Sequence, residues 1–193
     1  MKKRAFLEVA ALAAVTLPSA AKPAGATGPG LLTVTAATLQ ANRGAFDPAL
    51  DQMFKKHKLS FQQARSFDFA ALLALPAITI RPTLEYDAKV HELRGPLLHE
   101  VLVKAGVGLK PGSRIVLRAV DGYAATITLE QARAQRYIVA THLDGKPLAL
   151  GGLGPLWALC DADRVPALAA APLADRFGAC PWALYHIDAP DQA

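Results

Sequence analysis

Two Asp-Gly dipeptides, Asp121-Gly122 and Asp144-Gly145, sit between apolar, β-branched runs in the stretch from Arg114 to Trp157, and they constrain the fold more than any other feature. Each glycine supplies a residue that tolerates positive φ in a tight reversal. Ile115, Leu117 and Ala119 share one face of an extended segment, and Tyr137 to Thr141 (YIVAT) is apolar and branched enough for a second strand. Between them, Leu129 to Gln135 reads as a short helix, with Thr128 as N-cap and Gln131 at capping-box spacing. The expectation is a mixed sheet carrying one helical excursion.

With 52% hydrophobic content in 193 residues, the chain can bury one sizeable core. Its 14 Gly and 14 Pro have no period, which points to many turns and short elements rather than disorder or collagen. Lys2-Lys3-Arg4, an apolar run from Ala5 to Leu17 and then Pro18-Ser19-Ala20-Ala21 have the pattern of a secretory signal peptide, and the run is too short to span a membrane. Residues 1–21 are therefore expected to be a leader, 22–30 (KPAGATGPG) a linker and 31–189 the folded domain of an exported, periplasmic protein. Lys3-Arg4-Ala5-Phe6-Leu7-Glu8 also resembles a twin-arginine signal with Lys for the first Arg. The net charge of +5 falls to +3 once Lys2, Lys3, Arg4 and Glu8 are set aside, too weak a balance to argue nucleic-acid binding. Lys55-Lys56-His57-Lys58 reads as a solvated helix face or a docking patch.

Leu31 to Thr35 reads as a strand. A helix is expected over Pro48 to Lys58, with Asp47 as N-cap and Leu50, Met53 and Phe54 as its buried stripe. A second runs from Phe69 to Leu75, capped by Asp68 and stopped by Pro76. Ile78 to Tyr86 is extended, with Pro82 marking an edge or a bulge. Arg94-Gly95-Pro96 is expected to open a helix whose stripe is Leu97, Leu98, Val101, Leu102 and Ala105, ended by Gly106. A helical region over 162–176, broken by Pro166 and Pro172, precedes a last strand from Trp182 to Asp188.

Cys160 and Cys180 are the only cysteines, and in an exported chain they read first as a disulfide. Closing a segment of about 20 residues would stabilise by roughly 3 kcal/mol in the chain-entropy account. The five histidines show no HExxH or other close metal spacing, so no metal ligand set is assigned. His142, beside the Asp144-Gly145 turn, is placed near the mouth of any pocket at that end of the sheet. There is no GxSxG, which removes the support for a serine hydrolase.

Six pieces follow one another in a familiar order: FDFAALLALP (67–76), LRGPLLHEVLVKAGV (93–107), RAVDGYAATI (118–127), VATHLDGKPL (139–148), GPLW (154–157) and PWALYHID (181–188). Together they resemble the molybdopterin-binding domain of the sulfite-oxidase family, in its small exported single-domain form. The resemblance implies an α+β fold, a mixed β-sheet with peripheral helices around a cofactor pocket. In the family's oxidoreductases a Cys from the loop after the strand matching Ile78 to Tyr86 holds molybdenum. Here that loop reads Arg81-Pro82-Thr83-Leu84-Glu85-Tyr86-Asp87-Ala88-Lys89, and neither Thr83 nor Glu85 replaces a soft thiolate in kind.

The chain is thus similar to periplasmic pterin-binding sensor proteins, which bind a reduced pterin without molybdenum and signal to a membrane-bound partner. Binding rather than catalysis is expected, with no catalytic residue assigned. A flat pterin needs aromatic walls and carboxylate or amide acceptors for its amino edge. Tyr86, Tyr123 and Trp157 can supply the wall, and Arg81, Thr83, Glu85, Asp121 and His142 the polar edge. The competing readings place Trp157 in the core, Asp121 in its turn alone and Arg81 against Glu85 on the surface. One rival function is a molybdopterin-dependent oxidoreductase with a non-Cys metal site. Another is a structural protein whose pocket has closed around Trp157 and Tyr123.

Overall fold

The computed structural model describes residues 28–190, so the leader and most of the linker expected from the sequence lie outside the described residues. The chain opens with strand β1 (Leu32–Ala36), helix α1 (Gln52–Lys56), β2 (Arg65–Phe67), α2 (Phe69–Leu73), β3 (Ala77–Ile80), β4 (Leu93–Pro96) and α3 (Leu98–Lys104). Then come β5 (Arg114–Ala119), β6 (Ala124–Thr128), α4 (Leu129–Ala134), β7 (Ile138–Ala140), β8 (His142–Leu143), β9 (Lys146–Pro147) and β10 (Trp157–Leu159). A 3-10 turn over Ala162–Arg164, helix α5 (Pro166–Ala169), a second 3-10 turn over Leu173–Asp175 and β11 (Leu184–Ala189) complete it.

The fold is α+β, with one mixed sheet, two antiparallel ones and few, short helices. One sheet has the order β2-β1-β11-β5-β6, a second β3-β4-β8-β9, and β10 pairs with β7 alone. The first is mixed, because β1 runs parallel to β11 while its other neighbours pair antiparallel. Alternation along β5 decides which face is inside: Ile115 and Leu117 are 0% exposed and Ala119 2%. Burying each such aliphatic side chain contributes about 1.5–3 kcal/mol. β7 and β10 are buried at every residue, the pattern of strands covered on both faces.

Several local expectations hold. Thr128 accepts from the Gln131 N–H (3.1 Å) while the Gln131 side chain accepts from the Thr128 N–H (2.8 Å), closing the capping box on α4. Asp68 caps α2 through the Ala71 N–H (2.7 Å), and its other oxygen accepts from the Gly28 N–H (3.0 Å). Gly106, just beyond α3, has φ +73.

Two expectations fail for visible reasons. Arg94-Gly95-Pro96 is strand, not the opening of α3: β4 packs so closely on β7 that a Cβ on Gly95 would stand 2.0 Å from the Val139 carbonyl oxygen. The helix begins only at Leu98, whose N–H donates to the Tyr137 carbonyl (2.8 Å). Likewise, Asp47 caps a turn through the N–H groups of Ala49 (2.7 Å) and Leu50 (3.3 Å), and α1 starts five residues later. Of the expected stripe only Phe54 is buried (5% exposed), with Met53 at 41% and Leu50 at 80%. Lys55 and Lys56 occupy the last turn of α1, exposed, where cations complement the helix dipole.

Candidate functional site

Leu84 is 3% exposed and anchors the 81–89 loop in the core, so its neighbours Glu85 and Tyr86 face outward. Backbone bonds from Leu84 N–H to the Lys89 carbonyl (2.9 Å) and from Ala88 N–H to the Leu84 carbonyl (3.0 Å) fold the loop on itself. Asp163 accepts from the Thr83 N–H (2.7 Å), tying it to the 3-10 turn. His91 holds it from the other side, bonding Asp87 through Nε2 (3.1 Å) and Asp144 through Nδ1 (2.7 Å). With two carboxylates to donate to, the imidazole is raised above its ordinary pKa, chiefly by Asp144 and then by Asp87.

The Asp121-Gly122 turn approaches from the end of the five-stranded sheet. Gly122 has φ +96, and Asp121 Oδ1 accepts from the Tyr123 N–H (2.8 Å), leaving Oδ2 without a protein partner among the described residues. The Tyr123 hydroxyl donates across to the Gly178 carbonyl. The 173–182 segment supplies the third side. Arg176 braces it, donating to the carbonyls of Ala171 (3.0 Å) and Ala169 (2.9 Å) and to Asp163 (2.8 Å).

These three segments enclose a cavity of about 310 Å³. Its walls are Tyr86, Tyr123, Phe177 and Trp182, its carboxylates Glu85 and Asp121, and its remaining lining Ala119, Ala174, Gly178, Cys180 and Pro181. Tyr86 (54% exposed), Tyr123 (49%) and Trp182 (37%) are all the exposed aromatic residues among those described, and every one borders this space. Partial burial, then the Glu85 carboxylate, pushes the Tyr86 hydroxyl up to about 12, so it stays protonated and able to donate.

Four of the eight residues named from sequence meet here: Glu85, Tyr86, Asp121 and Tyr123. Trp157 does not line the cavity. It is 0% exposed, donates from its indole to the Cys180 carbonyl (2.8 Å), and packs behind Tyr86 (ring centroids 6.3 Å apart) and Phe177 (6.0 Å), propping two walls from the core. Arg81 points elsewhere, pairing with Glu92 (2.8 Å) on the surface and not with Glu85. Thr83 is half-buried outside the lining, and its N–H is spent on Asp163. His142 packs against Phe69 (5.8 Å) and bonds Thr141 (2.9 Å), away from the cavity.

Sequence reasoning missed Trp182, Phe177 and Cys180. Trp182 was expected inside the last strand, but β11 begins only at Leu184, and Trp182 forms an isolated antiparallel bridge with Trp157. Cys160 and Cys180 are free, buried thiols in the structure, not the bridge expected from the sequence. Each has its own acceptor, Gln135 Oε1 for Cys160 (3.9 Å) and the Tyr137 hydroxyl for Cys180 (3.6 Å). The neighbouring Cys180 thiol and burial raise Cys160. Among the described residues no group of three His, Cys, Asp or Glu side chains is gathered to hold a metal ion, and no helix is long and apolar enough to cross a membrane.

No protein-family model and no curated protein matches the chain. Among solved structures, it is similar to the sulfane dehydrogenase SoxCD from Paracoccus pantotrophus, with a TM-score of 0.48 and 17% identity. The match covers 67% of this chain and 36% of that one.

Proposed function

We propose that this is a periplasmic pterin-binding protein of sulfite-oxidase-like fold, acting as a ligand sensor or modulator for a membrane-bound partner and working without molybdenum. The observation that carries the reading is the convergence of every exposed aromatic among the described residues, together with two carboxylates, on one cavity. At about 310 Å³ the space lies at the small end of the roughly 300–1,000 Å³ typical of ligand sites, a size for one flat heterocycle. Trp182, Tyr86 and Tyr123 offer π faces for stacking, and Glu85 and Asp121 accept from an amino-pyrimidinone edge. The loop carrying Glu85 and Tyr86 is also the one that, by the sequence resemblance, would carry the metal ligand.

Titrating the protein with a reduced pterin and following tryptophan fluorescence tests this. Asp121→Ala should weaken binding about tenfold by removing a charge-assisted acceptor, and Trp182→Ala should do the same by removing a stacking face. Absence of binding by any pterin overturns the reading. A second reading, an oxidoreductase with molybdopterin, is favoured by one observation: a cysteine, Cys180, borders the cavity from a segment other than the 81–89 loop. Native mass spectrometry with metal analysis separates the two, since near-stoichiometric molybdenum in protein purified from its own periplasm would replace the sensor with an enzyme.

A further inference from the structure

The cavity is the wrong electrostatic host for a phosphate. Its charged lining is Glu85 and Asp121 alone, with no Lys, Arg or His. That is the reverse of the chain's own balance, which is net +5. Arg176 is spoken for, since all three nitrogens of its guanidinium donate to Asp163 and two backbone carbonyls, and the exposed Lys89 stands 3.8 Å from Asp87. Two of the backbone donors on its wall are already taken, the Tyr123 N–H by Asp121 and the Cys180 N–H by the Phe177 carbonyl. A phosphate ester carries close to two negative charges at neutral pH, and it needs arginines, lysines or a nest of free N–H groups. Brought here, it would meet two carboxylates instead.

We infer that the site selects against phosphorylated ligands and takes a phosphate-free heterocycle, neutral or cationic, with Glu85 and Asp121 as the residues that enforce the choice. This rests on the pterin reading above and sharpens it, because it excludes the phosphorylated side chain of molybdopterin as well as pterin phosphates. Asp121 Oδ2 is the acceptor left open for a ligand N–H, and Glu85 stands on the adjoining loop, so both charges act on one bound ring.

The test compares neopterin with neopterin phosphate, each in reduced form, by calorimetry on the full mature chain. The unphosphorylated compound should bind at least tenfold tighter at low salt. The ratio should narrow as ionic strength rises, because like-charge repulsion at a partly open site is screened. Glu85→Gln and Asp121→Asn should each reduce the ratio, and Asp121→Lys, on an exposed turn that tolerates it, should bring the phosphate ester level or ahead. Equal or tighter binding of the ester to the native protein overturns the inference and leaves the pterin reading standing. A preference that ignores both salt and the charge variants overturns it too, by showing a steric cause. If neither compound binds, the pterin reading itself has failed, and the inference with it.

Discussion

The same dipeptide, Asp-Gly, builds two turns in this protein that do different work. At Asp144-Gly145 both residues have positive φ (49 and 76), and the two-residue loop joins β8 directly to β9. Its carboxylate reaches along the surface to the neighbouring segment, accepting from the Glu92 N–H (2.9 Å) and from His91 (2.7 Å), and so fixes the base of the 81–91 segment. At Asp121-Gly122 only the glycine has positive φ (96), and the carboxylate accepts from its own turn at Tyr123, keeping one oxygen for the cavity. One turn is a fastening and the other presents a polar group. The difference comes from what lies opposite: β4 and the 81–91 segment in one case, the 173–182 segment in the other.

Breaking the strand that supports the fastening turn should have the largest effect. Gly95 lies in β4, which pairs with β8, and an alanine there would set its Cβ 2.0 Å from the Val139 carbonyl oxygen and 2.8 Å from Ala140 Cα. Backbone atoms cannot step aside as a flexible side chain can, so Gly95→Ala should cost about 3 kcal/mol or more in urea unfolding. Hydrogen exchange should rise first in β8 and β9, while β5 and β6, in the other sheet, keep more of their protection. Unchanged stability would mean that β4 and β7 are not in backbone contact.

The fastening should also depend on pH. His91 is raised above its ordinary 6.5 by Asp144 and Asp87, so its contribution is full below 6.5 and is lost as pH rises through its folded value. Asp87 and Asp144 are both lowered from 3.8, chiefly by His91, so their contribution is present above 3.8 and is lost as pH falls through their folded values. The tether is whole between these limits, with Lys89 the other charge beside Asp87. Asp144→Ala should therefore lower Tm by a few degrees near pH 5.5, and the gap to wild type should shrink by about pH 9. In a His91→Gln background that pH dependence should vanish. A gap that stays constant with pH would assign the loss to the Glu92 N–H bond alone.

Much of this frame was legible in the sequence because it is local. The capping box at Thr128 and Gln131, the Asp68 cap and the alternation of Ile115, Leu117 and Ala119 need only neighbours a few residues away. Arg94-Gly95-Pro96 misled because its strand state comes from pairing with β3 and with β8, the latter more than forty residues on, and from close packing on β7, and Leu50 misled because Asp47 closes a turn before the helix begins. In the cavity, Tyr123 and Asp121 were readable as a turn with exposed side chains, and Glu85 and Tyr86 through the family resemblance of their loop. Trp157 took the core place that was its competing reading, because its indole finds the Cys180 carbonyl inside. Trp182 and Phe177 were out of reach, since only the braced 173–182 segment brings them to the turn.

The smallest expected effect tests the comparison most directly. Alanine at either turn glycine must adopt positive φ, at a cost of about 1 kcal/mol in stability. Space does not distinguish the two sites: a Cβ on Gly145 would have nothing within 4 Å, and one on Gly122 would make an ordinary contact with His57 Nε2 at 3.5 Å. Gly122→Ala and Gly145→Ala should accordingly lose similar stability by urea unfolding, yet differ in ligand affinity. Strain at Gly122 displaces Asp121 and Tyr123 from the cavity wall, whereas strain at Gly145 falls on a turn that touches no ligand. If Gly145→Ala weakened binding as much as Gly122→Ala, the carboxylates would not be what separates the turns, and the cavity would have to be sensitive to the whole 81–91 tether.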